Sequence, residues 1–145
     1  MAHGGARMTT EATRVLVVDD NDDTRELVAD LLGARGYATD IAPDATSALA
    51  IAETRAPAAV VVDIGLPDLD GYELARRLRA LPGLERVCII AVTGHASEAH
   101  KRSSAAAGID VHMVKPVKFA DLVAEIAVRL SAARLSADTA DTRKS

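Results

Sequence analysis

The chain has no tryptophan, two tyrosines and one phenylalanine among 145 residues. A core of ordinary size must therefore be aliphatic, built from the Val, Leu, Ile and Ala that dominate its 49% hydrophobic content. An aliphatic core suits a buried sheet covered by Ala- and Leu-rich helices. The poverty in aromatics also argues against a flavin site, which would want rings to sandwich the cofactor. Only one cysteine is present, Cys88, so no internal disulfide can form. It sits in the apolar run Val87-Cys88-Ile89-Ile90-Ala91-Val92, where a small buried hydrophobe is the plain reading. No basic surplus exists: the formal net charge is −4, which excludes the usual footprint of a nucleic-acid binder. Arg76, Arg77 and Arg79 cluster, but on a helix such a group reads as a solvated face. No apolar run approaches the roughly 20 residues that span a bilayer, so no membrane role is expected. The start of the chain lacks the apolar stretch of a signal peptide, and a cytoplasmic location is the expectation.

What is present is alternation. Val15-Leu16-Val17-Val18 is a β-branched run ending on acids. Residues 24–34 follow with Leu27, Val28, Leu31 and Leu32 at helical spacing, closed by Arg35 and Gly36. The same alternation gives strands at 37–41, 58–62, 87–92 and 110–114, and helices at 44–55, 70–81 and 96–107. A closing amphipathic helix carries Phe119, Leu122, Val123, Ile126, Ala127 and Leu130 on one face. One domain over 14–134 is expected, with frayed tails at 1–13 and 135–145. Five β–α units in series predict a parallel sheet with helices on both faces. Ligands of such sheets sit beyond the carboxyl ends of the strands.

That edge is where the chemistry gathers. The first strand ends in Asp19-Asp20, the third in Asp63, the fourth in Thr93 and the fifth in Lys115-Pro116. An aspartate after a strand is commonly a plain turn residue. Three of them with a hydroxyl and an ammonium at one edge point elsewhere. Close carboxylates repel, and a hard divalent cation relieves them; oxygen ligands with open positions favour Mg²⁺. Mg²⁺ brings phosphate chemistry, Lys and Thr suit phosphoryl oxygens, and one carboxylate could act as nucleophile.

These residues resemble the receiver domain of two-component response regulators. The matching segments are Val17-Val18-Asp19-Asp20-Asn21, Val62-Asp63-Ile64-Gly65-Leu66-Pro67-Asp68-Leu69-Asp70-Gly71, Ala91-Val92-Thr93-Gly94 and Val114-Lys115-Pro116. The resemblance implies a flavodoxin-like (βα)5 three-layer α/β fold with strand order 2-1-3-4-5. It implies Asp63 as phosphoacceptor, and Asp20, Asp63 and the Gly65 carbonyl as direct Mg²⁺ ligands. Asp19 matches the acid that holds the metal through water. Thr93 matches the switch hydroxyl, Lys115 the lysine that pairs with Asp63, and Pro116 the cis-proline. A sensor or hybrid histidine kinase, or a histidine phosphotransfer protein, would be the donor. A homodimer through the last two helices and last strand is a further expectation of the resemblance.

Departures from the family pattern carry their own expectations. His112 stands where most relatives have a switching aromatic, and can change charge near neutral pH. Gly65 offers no side chain to shield a phosphoryl group, and His95 is expected to influence its lifetime. His3 and His100 read as exposed bystanders. Glu98, Lys101, Arg102 and Lys118 are expected on the output face. The anticipated role is a stand-alone signalling phosphoacceptor, not an enzyme. A haloacid-dehalogenase-type phosphatase would need a second acid where Gly65 stands. A flavodoxin-like cofactor binder would need a Ser/Thr/Gly-rich loop where 19–23 is acidic. A phosphorylation-independent interaction module would usually lack part of the five-residue set.

Overall fold

A computed structural model describes residues 13–94 and 106–144, with side chains through residue 131. Five parallel strands form one sheet in the order β2-β1-β3-β4-β5: β1 (Arg14–Val18), β2 (Ala38–Ala42), β3 (Ala59–Asp63), β4 (Cys88–Thr93) and β5 (Val111–Val114). The helices are α1 (Asp22–Ala34), α2 (Ala45–Thr54), α3 (Gly71–Ala80) and α4 (Phe119–Lys144). The expected helix over 96–107 lies outside the described residues apart from its last turn, as do His3, His95, His100, Glu98, Lys101 and Arg102.

The two faces of the sheet carry separate aliphatic cores, as the period-2 alternation of a strand requires. Leu16, Val18, Val60, Val62 and Ile89 pack under α2 and α3 with Ala45, Ala48, Leu74 and Leu78. Val15, Val17, Ala59, Val61, Cys88 and Ile90 pack under α1 and α4 with Leu32, Leu122 and Ile126. Central strands buried on both sides explain why β1, β3 and β4 read as continuous apolar runs. Cys88 is buried, and desolvation pushes its thiol up to about 11. Burial and that rise both disfavour a reactive thiolate.

Boundaries move by one or two residues from the sequence expectations because helix starts are set by caps. Asn21 accepts from Thr24 N–H, so α1 begins at Asp22 and places Asp22 and Asp23 in its positive first turn. Asp44 and Asp70 cap α2 and α3 in the same way. At the other end, α4 runs to Lys144, across the stretch expected as a frayed tail. Neither Gly nor Pro occurs after Pro116, so no stop signal interrupts it.

The arginine cluster on α3 also divides. Arg76 and Arg77 pair with Glu73 on the solvated side. Arg79 turns inward instead. It donates to the carbonyls of Gly108 and Glu85 and to Asp110, whose carboxylate also accepts from Ile89 N–H. This one side chain therefore joins α3 to the starts of β4 and β5.

Candidate functional site at the carboxyl edge of the sheet

The strand order brings β1, β3, β4 and β5 side by side, so their carboxyl ends meet. Asp63 closes β3 and lies beside Val92 of β4, one residue before Thr93. Lys115 follows β5 and reaches across β4, placing Nζ 3.1 Å from Asp63 Oδ2. The Asp63 side chain is 11% exposed, whereas that of Lys115 is 47% exposed. The carboxylate is thus recessed and the ammonium stands at its mouth. The Lys115–Pro116 peptide bond is cis, as the resemblance implied.

Asp19, Asp20 and Asp63 each offer a carboxylate oxygen, and the three lie within 4.8 Å of one another. Asp19 is raised above the usual carboxylate range, chiefly by burial, with the charges of Asp63 and Asp20 adding to it. The Asn21 backbone N–H and Lys115 oppose that rise. Three crowded carboxylates against one ammonium leave negative charge uncompensated, and a divalent cation held by oxygen donors would balance it. The donor set fits Mg²⁺ on both charge and hardness.

Local bonds hold these carboxylates in place. Gly65 N–H donates to Asp63 Oδ1 at 2.9 Å, and Asn21 N–H to Asp19 Oδ1 at 2.9 Å. Thr93 is buried, and its backbone carbonyl accepts from Lys115 N–H at 2.7 Å. The backbones of Thr93 and Lys115 are therefore tied at the β4–β5 seam. His112 sits half-buried on the outer strand β5, beside Ala91. Val111 and Met113 pack toward α4, so alternation turns His112 to the opposite face.

The acids open into a cleft of about 720 Å³ that runs between α1 and α4. Leu27, Val28 and Leu31 line one wall, and Val117, Phe119 and Leu122 the other. Sequence reasoning located the five polar residues because each ends a strand. It missed Arg25, a buried arginine behind the acids. It also missed Asp68, which accepts from Ala45 N–H, Thr46 N–H and Thr46 Oγ1 at the start of α2. Neither has a local periodic signal: Arg25 bonds across a turn, and Asp68 bonds a distant segment.

Comparison with known proteins bears on the family and the fold. The response regulator receiver domain family matches residues 15–127. A CheY-like response regulator receiver domain protein from Methanospirillum hungatei superposes with a TM-score of 0.82 at 32% identity, covering 87% of this chain and 99% of that one. A 14.6 kDa protein of Leptolyngbya boryana is 37% identical over 75% of this chain and 83% of its own length. The sensor histidine kinase RcsC of Salmonella typhi is 37% identical over 79% of this chain, which spans only 12% of that protein.

Proposed function

Because the chain belongs to the response regulator receiver domain family, we propose that it accepts a phosphoryl group on Asp63 from a histidine kinase or histidine phosphotransfer protein. The single observation that carries this reading is the recessed Asp63 carboxylate, paired with Lys115 and crowded by Asp19 and Asp20. In this reading Asp20, Asp63 and the Gly65 carbonyl would hold Mg²⁺ directly, and Asp19 would hold it through water. The ion supplies positive charge against the phosphoryl oxygens.

A carboxylate oxygen of Asp63 attacks phosphorus in line. The phosphorus–nitrogen bond to the donor imidazole breaks, and its electron pair leaves with that nitrogen. Lys115 then exchanges its pairing with Asp63 for the phosphoryl group, a charge-assisted bond of the same kind. The Thr93 hydroxyl turns to the same oxygens, and the shared backbone bond carries the change to β5 and His112. The cleft wall beside the acids, with Leu27 58% exposed, supports approach by a partner that presents a histidine at this edge.

Receiver domains are signalling phosphoacceptors, and we assign this chain that role in place of an enzyme's. The unit assigned is 14–134, acting in the cytoplasm as a stand-alone regulator or relay. Pairing of two copies through the last two helices and the last strand belongs to the same proposal. No described helix is long and apolar enough to cross a membrane.

Beryllofluoride, a phosphoryl mimic, tests the site directly. With Mg²⁺ it is expected to shift the amide resonances of Gly65, Thr93 and Lys115, and without Mg²⁺ to leave them in place. Unmoved resonances in the presence of both would refute the reading.

A further inference from the structure

We propose that Arg25 is a positioning residue for the acidic site: it locks the peptide between Asp19 and Asp20 so that both carboxylates face one divalent cation. The inference rests on the reading of that site as a Mg²⁺ site.

Arg25 is the one cation buried among the described residues, with a side chain only 9% exposed. Burying a guanidinium is costly unless its donors are met. Here Nη1 donates to the backbone carbonyl of Asp19 at 2.9 Å, and Nη2 to Asp22 Oδ1 at 2.6 Å. Nε is buried with no partner among the described residues. The helix itself does not call for this arrangement. Asn21 already caps α1, and Val28, Ala29 and Leu32 already seat it on the sheet. An apolar residue would fill the position without an unmet donor.

What Arg25 adds is a grip on one peptide plane. The Asp19 carbonyl belongs to the same rigid unit as the Asp20 amide. Holding that plane fixes ψ of Asp19 and φ of Asp20, the two torsions that set the Asp20 carboxylate relative to that of Asp19. Other bonds in the turn hold its two sides. Asp19 N–H reaches Ala42 on β2, and Asn21 N–H reaches the Asp19 side chain. The carbonyl between them is held by Arg25. The guanidinium fork spans the start of the turn at Asp19 and the first residue of α1 at Asp22, a two-point clamp that a lysine cannot reproduce. Its bonds to Asp19 and Asp22 reach neither Asp20 nor Asp63, so it acts through the turn and not on the phosphorus.

The test is calorimetric titration of Mg²⁺ into wild type, Arg25→Lys and Arg25→Ala, each first shown to unfold cooperatively in urea with EDTA. Outer-shell partners are worth about 10–100-fold in metal affinity. Arg25→Ala is expected to weaken Mg²⁺ binding about tenfold or more, with Arg25→Lys between it and wild type. At saturating Mg²⁺, phosphorylation by acetyl phosphate is expected to return to within about twofold of wild type, as for loss of ground-state binding alone. Wild-type affinity in Arg25→Ala overturns the proposal, as it does in Arg25→Lys should the alanine variant not fold. A rate deficit that persists at saturating Mg²⁺ also overturns it. A wild-type chain that takes up no Mg²⁺ sinks the functional reading itself, and this proposal with it.

Discussion

At the scale of single residues, Asp68 ties the loop after Asp63 to the start of α2. It stands five residues after Asp63 in the β3–α3 loop, the loop that also carries Gly65. Its carboxylate accepts three bonds from the start of α2. Those bonds, led by the Ala45 N–H, hold it down to about 2 from an ordinary 3.8. A carboxylate depressed in the folded state stabilises the fold fully above its unfolded value and loses that contribution as pH falls through the folded one. The gap in urea midpoint between wild type and Asp68→Ala is therefore expected to be widest near pH 5 and to shrink toward pH 2. A gap that stays constant over that window contradicts the assignment. Because Asp68 is exposed, the gap itself is expected to be small.

At the scale of elements, Gly71 fixes how α3 leaves the β3 loop. A Cβ there would lie 2.8 Å from Ile64 Cδ1, 2.9 Å from Ile64 Cα and 3.2 Å from Val62 Cγ1. Gly71→Ala is expected to cost about 1–3 kcal/mol by overcrowding, read from urea unfolding. Gly65 differs, since a Cβ there meets only Asp63 Oδ1, at 3.8 Å. Gly65→Ala is expected to fold as wild type does, and equal losses at the two glycines would contradict the packing described. The sheet and its acidic edge were legible in the sequence because Val15–Val18, Ala59–Val62 and Ile89–Val92 are apolar on both faces and stop at Asp or Thr. Helix starts were less so. Asp22 and Asp23 read as part of an acidic run, whereas Asn21 makes them the first turn of α1. Arg79 and Arg25 were hidden for another reason. Composition shows a charged residue, but burial against carbonyls outside its own helix is decided by the tertiary fold.

At the scale of the whole molecule, the proposed Mg²⁺ would link the site to the fold. A ligand bound only by the folded chain stabilises it by mass action, about 2.7 kcal/mol at a hundred times the dissociation constant. Mg²⁺ is expected to raise the urea midpoint of wild type and to leave that of Asp20→Ala unchanged. An equal rise in both would move the ion away from the acidic edge. The two cores on either side of the sheet serve the same end. They fix five strand ends relative to one another, so that Lys115 meets Asp63 across 52 positions of sequence.

Asp63 is proposed to take the phosphoryl group, and intact-mass measurement after incubation with Mg²⁺ and acetyl phosphate tests that assignment. Wild type is expected to gain one phosphoryl group and Asp63→Asn none. An adduct that forms equally in Asp63→Asn would contradict the account.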